Sequence, residues 1–217
     1  MPKRLVSAIY SDFYPFDKLS FVEGTLATSD PDELNKDDIL VVWGGADISP
    51  ALYNKRLSKR TWADPYPSMR DRIEWALMQR AKDLNIPIIG VCRGAQMLCA
   101  LAGGYLIQHV NHHAGAPHIV LTIDGEEIQT NSIHHQMMYP FDVPHEMLGR
   151  TKEKLSDKYY DVNDLVEVPH EPENVYFPEV KGFAVQWHPE MMRFPCPATE
   201  YVFKTIAEKL NVSNSKD

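Results

Sequence analysis

The chain has 217 residues, of which 44% are hydrophobic, and this predicts one compact α/β domain with a sizeable core. Its 22 Lys and Arg against 30 Asp and Glu give a formal net charge of −8, which argues against nonspecific electrostatic binding to nucleic acid. Three cysteines without a CxxC pair indicate neither a disulfide framework nor a thiolate zinc site. No stretch has the length of a signal or membrane-spanning segment, so we expect a cytoplasmic protein.

The first half of the chain alternates strand-like and helical patterns. Short buried strands are predicted by "RLVSAIYS" (4–11), by "DILVVWGG" (38–45), which ends in a glycine pair, and by "NIPIIGV" (85–91). Helices are predicted by "RDRIEWALMQRAKDL" (70–84), with Ile73, Leu77, Ala81 and Leu84 at helical spacing, and by "CRGAQMLCALAGG" (92–104). This alternation predicts a mostly parallel central sheet with helices on both faces, whose ligands lie beyond the C-terminal ends of the strands.

The second half consists mainly of short β-like runs separated by turn residues. These runs are "YLIQHV" (105–110), "HIVLTID" (118–124), "EEIQTNSI" (126–133), "DLVEVPH" (164–170) and "KGFAVQW" (181–187). They predict antiparallel pairs at an edge of the sheet, while the charged segment 150–161 is interpreted as a solvated connection. An amphipathic helix at 198–210, with Val202, Ile206 and Leu210 on one face, closes a single domain of residues 1–210, and 211–217 form a polar tail.

The segment Gly90-x-Cys92-x-Gly94 stands where a predicted strand gives way to a predicted helix. This is the pattern of a nucleophile elbow, a sharp turn that keeps its central side chain accessible and has no room for large side chains two residues away. The helix N-terminus favours the thiolate form of Cys92, and neighbouring Arg93 adds positive charge. The alternative is that Cys92 is a small core residue and that the glycines only let the helix pack on the strand.

A base for this nucleophile is indicated by "VQWHPE", where His188 and Glu190 are separated by one proline. In extended geometry both side chains point the same way, so the carboxylate can orient the imidazole and stabilise its charged form. The alternative is a surface histidine beside a glutamate that caps a helix.

Five segments occur together in a fixed order, namely "GGADISP", "MRDRIEWAL", "CRGAQ", "NSIHHQ" and "HPE". In this combination the chain resembles the class I glutamine amidotransferase superfamily, and within it the γ-glutamyl hydrolase branch, which includes γ-glutamyl-γ-aminobutyrate hydrolases. The resemblance spans about Val41 to Glu190 and implies a flavodoxin-like α/β fold.

The resemblance also implies roles for individual residues. Cys92 corresponds to the nucleophile, His188 to the general base and acid, and Glu190 to the carboxylate that orients His188. The backbone amides of Gly45 and Arg93 correspond to the oxyanion hole, and Asp47 is expected to hold the loop after Gly45 in shape. The remaining positions, which correspond to the wall of the glutamyl pocket, are Gln96, Ser132, His134 and His135. For the two histidines the alternative is internal hydrogen bonding that anchors a loop.

The expected reaction is hydrolysis of a γ-glutamyl amide, either glutamine or a γ-glutamyl amine, through a glutamyl thioester, with no metal or organic cofactor. Two alternatives stay open: a glutaminase subunit that delivers ammonia to a separate synthetase partner, and a non-catalytic binding protein on the same fold. The sequence does not identify the amine or the oligomeric state.

One histidine-rich segment has no place in this interpretation. "HVNHHAGAPH" contains His109, His112, His113 and His118, a density that is compatible with a metal site. No carboxylate or thiol pattern accompanies these histidines, so we expect contacts with substrate or water rather than a metal. The same region is shorter than is usual in the γ-glutamyl hydrolase branch, which leaves the size of the substrate open.

Overall fold

A computed structural model describes residues 3–209 of the chain. Its strands are β1 (Lys3–Ser7), β2 (Val22–Ala27), β3 (Asp38–Val42), β4 (Ile88–Val91), β5 (Tyr105–Ile107), β6 (His109–Val110), β7 (His118–Thr122), β8 (Glu127–Thr130), β9 (Met137–Tyr139), β10 (Glu146–Thr151), β11 (Tyr159–Asp161), β12 (Asp164–Leu165), β13 (Pro172–Phe177) and β14 (Gly182–Val185). Its α-helices are α1 (Met69–Leu84), α2 (Arg93–Leu101) and α3 (Pro197–Lys209).

Nine strands form the central sheet in the order β2-β1-β3-β4-β14-β13-β10-β7-β8. The first five of these pair in parallel, and every pairing from β14 through β13, β10 and β7 to β8 is antiparallel. The predicted α/β architecture is therefore confirmed. The antiparallel part is larger than the edge that we expected, because β10 and β13 also belong to it.

Helices cover both faces of the parallel strands, as predicted. Side chains of α1 and α2, such as Leu77 and Met97, pack with Leu40 and Ile88 of the sheet. On the opposite face, α3 contributes a second buried cluster that includes Val202. Helix α1 begins with a capping box in which Ser68 accepts from the backbone N–H of Asp71 and Asp71 accepts from that of Ser68.

Several sequence predictions differ from the structure in detail. The run 105–110 is split into β5, which pairs with β9, and β6, which pairs with β11. Segment 150–161 is not simply a solvated connection, because it contains the end of β10 and all of β11. Leu210 and the polar tail 211–217 lie outside the described residues, so the predicted domain limit stays a prediction.

Within residues 3–209, none of the helices combines the length and the apolar character that crossing a bilayer requires. The cytoplasmic location stays a prediction.

Candidate active site

A cavity of about 520 Å³ opens where β3, β4 and β14 end. This is the edge at which ligands bind in parallel α/β sheets. The cavity is lined by Tyr10, Asp12, Tyr14, Trp43, Gly44, Gly45, Cys92, Ile133, His188, Glu190 and Met191. Cys92 therefore lines the same cavity as His188 and Glu190, although it lies far from that pair in the sequence.

Cys92 lies between β4 and α2 in an unusual backbone conformation, with φ of 50° and ψ of −104°. Positive φ is rare for residues other than glycine, and such strain is concentrated at functional sites. The Cys92 N–H donates to the carbonyl of Val185 at 2.7 Å, which fixes the turn against β14. Its side chain is 6% exposed and faces the cavity, so Cys92 differs from an ordinary core cysteine.

The two glycines of the elbow are required by close backbone approach. A Cβ on Gly94 would overlap the carbonyl of Val42 in β3, and one on Gly90 would lie 2.5–2.7 Å from the backbone of Gly94 and Ala95. The glycines therefore do pack the helix on the strands, as in the alternative interpretation, and the same packing produces the sharp turn that presents Cys92.

The glycine pair after β3 brings the backbone close to the reactive groups. A Cβ on Gly44 would lie 2.6 Å from Cε1 of His188 and 3.6 Å from Cβ of Cys92. Gly45 has a φ of +146°, a conformation that L side chains rarely adopt. Beyond this pair, Asp47 accepts from the Thr61 hydroxyl at 2.8 Å and from the Trp62 N–H at 2.9 Å, so it holds the loop as expected.

His188 and Glu190 form a close pair, with 2.6 Å between Nδ1 and Oε1. Burial disfavours the charged form of the imidazole, but hydrogen bonding with Cys92 and Glu190 and their negative charges outweigh it and raise the pKa of His188 to about 10. The imidazole can therefore hold a proton at neutral pH while it remains beside the thiol.

Asn131 is a site residue that the residue-by-residue analysis missed. Its Oδ1 accepts from the backbone N–H of His188 at 2.8 Å, and its Nδ2 donates to the carbonyl of His188 at 2.9 Å. The sequence did point to Asn131, because it is the first residue of "NSIHHQ", one of the five segments that carry the family resemblance.

Arg93 is placed differently from what its charge indicated. Its side chain is 3% exposed and forms ion pairs with Asp71 and Glu74 of α1. Its positive charge is thus paired with two carboxylates. The role in the oxyanion hole that stays predicted for Arg93 is therefore that of its backbone N–H, which lies at the start of α2, where N–H groups have no acceptor within the helix.

Arg70 is a second residue that the sequence analysis missed, and it connects α1 to the glycine loop. Its Nη2 donates to the carbonyls of Trp43 and Gly44, at 3.0 and 2.9 Å, and its Nε donates to Glu74 at 3.1 Å. Glu74 also contacts Arg93, so one ion-pair network supports both the loop at Gly44 and the start of α2.

The four predicted substrate contacts are not on the wall of the cavity. Gln96 donates to the carbonyl of Gln136, and Ser132 donates to the carbonyl of His113. His134 Nδ1 lies 2.9 Å from the carbonyl of Gln136, and His135 Nε2 lies 3.0 Å from Asp47. For both histidines the geometry agrees with the alternative of internal anchoring, and substrate contact by any of the four stays a prediction.

The chain is similar to several known proteins. The family model described as Peptidase C26 matches residues 31–121. The glutamine amidotransferase-like protein YvdE of Lactococcus lactis is 32% identical over 174 residues, which cover 70% of this chain and 66% of that protein. Protein NtpR of Enterococcus hirae is 30% identical over 174 residues, 71% of this chain and 67% of that protein. The chain spans about half to two thirds of the length of the first curated relatives that it matches.

A shorter match relates the chain to the carbamoyl phosphate synthase small chain of Zymomonas mobilis, at 26% identity over 59% of this chain and 31% of that one. Among solved structures, a glutamine amidotransferase of Thermotoga maritima superposes with a TM-score of 0.57, at 12% identity over 98% of this chain and 87% of that chain. This last likeness concerns the fold alone.

Proposed function

Since the chain belongs to the Peptidase C26 family of class I glutamine amidotransferase-like proteins, we propose that it hydrolyses a γ-glutamyl amide with Cys92 as the nucleophile. The observation that most supports the proposal is that Cys92, at positive φ, lines the same cavity as His188, which in turn pairs with Glu190. This is the arrangement of a nucleophile, a base and an orienting carboxylate.

In the first step Cys92 gives its proton to His188, and the resulting thiolate attacks the side-chain carbonyl carbon of the γ-glutamyl group. The carbonyl oxygen becomes an oxyanion, which we place near the backbone N–H groups of Gly45 and Arg93. As the C–N bond breaks, protonated His188 gives its proton to the departing ammonia or amine, and a glutamyl thioester forms on Cys92.

In the second step a water molecule attacks the thioester carbonyl while His188 removes a proton from it. The C–S bond breaks, glutamate leaves, and Cys92 is regenerated. Glu190, 2.6 Å from Nδ1, keeps the ring oriented through both steps. No step of this reaction requires a metal or an organic cofactor.

The cavity wall supports a substrate that is larger than glutamine. Beside the reactive groups lie the aromatic side chains of Tyr10, Tyr14 and Trp43, together with Met191 and the carboxylate Asp12. Apolar walls with few polar groups are typical of sites that enclose an organic group. We therefore expect a γ-glutamyl amine to be a better substrate than glutamine itself.

The second candidate is a glutaminase that delivers ammonia to a separate synthetase. The observation that favours it is the match to a carbamoyl phosphate synthase small chain. In that case the isolated protein would release glutamate slowly, and only from glutamine, until its partner is added.

The test is glutamate release from glutamine and from γ-glutamyl derivatives of an alkylamine, a diamine and an amino acid. Wild type is compared with Cys92→Ala and with the control Cys99→Ala, which removes a thiol buried inside α2. We expect Cys92→Ala to lower the rate about 1,000-fold or more and Cys99→Ala to retain activity, with both variants folded by circular dichroism.

The outcomes separate the candidates. Rapid Cys92-dependent release from a γ-glutamyl amine supports the hydrolase, and slow release from glutamine alone supports the synthetase-linked glutaminase. If folded wild-type protein releases no glutamate from any of the compounds, the hydrolase proposal is wrong and a non-catalytic binding protein becomes the better interpretation.

A further inference from the structure

A buried group of histidines and glutamates lies outside the lining of the cavity, and none of its members is the nucleophile, the base or the orienting carboxylate of the proposed reaction. We call it the His–Glu cluster, and it consists of His113, His118, His134, Glu171 and Glu173. Its side chains are between 0% and 6% exposed. Two of the histidines come from the "HVNHHAGAPH" segment, and the carboxylates that the sequence analysis did not find are supplied by Glu171 and by β13.

Three imidazole nitrogens converge on one carboxylate oxygen, Oε1 of Glu173. The distances are 3.5 Å from Nδ1 of His113, 3.6 Å from Nε2 of His134 and 3.1 Å from Nε2 of His118. Two of these exceed the usual N–H···O range of 2.7–3.2 Å. Ligands at about 2.0–2.1 Å from a tetrahedral zinc ion are separated by about 3.3 Å, so the observed spacing is that of neighbouring metal ligands.

The converging atoms make no hydrogen bond with the described residues. This holds for Nδ1 of His113, for Nε2 of His134 and for both side-chain oxygens of Glu173. Buried polar groups are almost always paired, and a buried carboxylate without donors is costly. A cation among these atoms would satisfy them together.

The nitrogens of His113 and His134 that do not face Glu173 lie near acceptor oxygens, although Nε2 of His113 makes no hydrogen bond with the described residues. Nε2 of His113 lies 3.3 Å from Glu171, whose two oxygens also accept from Leu155, Ser156, Thr151 and Tyr159. Nδ1 of His134 lies 2.9 Å from the carbonyl of Gln136. A contact like that of His134 fixes the tautomer and aims the opposite nitrogen at a metal.

We propose that His113, His134 and Glu173 bind a divalent transition-metal ion, with His118 as a fourth ligand, and that the ion has a structural role. Imidazole and carboxylate ligands in a closed, buried site fit zinc. Potential ligand atoms of the first three residues lie within 4.8 Å of one another.

The His–Glu cluster lies beside the segment that positions His188, which indicates what a bound ion would stabilise. His134 N–H and the Ser132 hydroxyl both donate to the carbonyl of His113, which joins the two segments that carry the histidines. Asn131, the residue immediately before Ser132, holds the backbone of His188. A metal at the cluster would therefore stabilise the segment that positions His188, from outside the lining of the cavity.

The competing explanation is an ion-pair network without metal. Burial opposes protonation of His113, but Glu171 and Glu173 raise its pKa to about 9, so one imidazolium would balance part of the carboxylate charge. Both explanations keep the cluster intact in the folded protein, and metal binding distinguishes them.

The test uses Zn²⁺ and Co²⁺ added to chelator-treated full-length protein. We expect one equivalent of metal per chain by mass spectrometry, a visible Co²⁺ spectrum of tetrahedral nitrogen and oxygen coordination, and a higher Tm with Zn²⁺. Glu173→Gln should weaken binding about 100-fold or more and abolish the Tm increase. The matched control is His112→Asn, which removes an exposed histidine from the same segment at a positive φ that Asn tolerates.

Failure of wild-type protein to bind a stoichiometric equivalent of either metal would overturn the proposal, and so would equal binding by folded Glu173→Gln. If Glu173→Gln does not fold, the Co²⁺ spectrum of the wild-type protein tests the proposal instead. A spectrum of octahedral, water-rich coordination would mean that the metal binds at the surface, and the proposal would be wrong. These readouts do not depend on glutamate release, so the metal site and the proposed function are tested separately.

Discussion

Asn131 holds His188 by both of its backbone polar groups, accepting from its N–H at 2.8 Å and donating to its carbonyl at 2.9 Å. These bonds join positions 57 residues apart in the chain. Because both bonds end on the backbone, Asn131 determines where the Cα of His188 lies and leaves the ring free to contact Cys92 and Glu190. We interpret Asn131 as a positioning residue.

Asn131→Ala should therefore lower kcat by about 10- to 100-fold, because small displacements of a reacting group have effects of this size. Asn131→Asp, which retains an acceptor for the His188 N–H, should lose less. The control is Asn111→Ala, which removes an amide that bonds to the exposed Asp157. Steady-state kinetics on the best γ-glutamyl substrate measure the effect, and full activity in folded Asn131→Ala would refute the positioning role.

Arg70→Ala should reduce kcat about 10-fold or more, because it removes the donors to the carbonyls of Trp43 and Gly44 that hold the loop beside Cys92. Arg72→Ala is the matched control on the same helix, since Arg72 bonds only to the carbonyl of Pro67 at the surface among the contacts described. Equal kinetics for the two variants would show that the loop is held without Arg70.

Gly94→Ala should destabilise the fold strongly, by about 3 kcal/mol or more, because its Cβ would overlap the carbonyl of Val42. Gly125→Ala is the control: Gly125 has a φ of +83° but open space around it, so only the backbone cost of about 1 kcal/mol applies. Urea unfolding gives both free energies. A loss for Gly94→Ala no larger than for Gly125→Ala would mean that α2 shifts away from β3 at little cost.

The raised pKa of His188 predicts a pH dependence of stability. Its folded-state pKa of about 10 exceeds the unfolded value near 6.5, so the stabilisation from the protonated ring is fully present below about pH 6.5 and is lost as pH rises through about 10. The difference in unfolding free energy between wild type and His188→Gln should therefore decline between these pH values. A difference in unfolding free energy that is constant or increases across this pH range would contradict a raised pKa of His188 in the folded protein.

Sequence reasoning worked best where structure is determined locally. The elbow could be predicted because glycine spacing, the end of an apolar strand and the start of a helix all occur within Ile88–Leu101. The meeting of Cys92 and His188 could be expected because both follow strands of the parallel part of the sheet, whose C-terminal ends share an edge.

What sequence reasoning missed depends on partners from distant segments. Strand β13 carries Glu173 and Asn174, both fully buried, and charged or amide side chains argue against a core strand when their partners are unknown. In the same way, the sequence predicts that the charge of Arg93 acts on the Cys92 thiol. Nothing in the local sequence indicates that Asp71 and Glu74 of α1 form ion pairs with the Arg93 side chain.

The backbone hydrogen bond from Cys92 to Val185 limits which parts of the sequence can vary during evolution. It continues the ladder in which Val91 is paired with Val185, so two adjacent strands, together with the bonds from Asn131 to His188, set the spacing of thiol and imidazole. A shift of one residue between β4 and β14 would turn the alternating side chains to the other face and separate the pair. Insertions in the loops that rim the cavity leave that ladder untouched, so substrate preference can diverge while the reacting pair keeps its geometry.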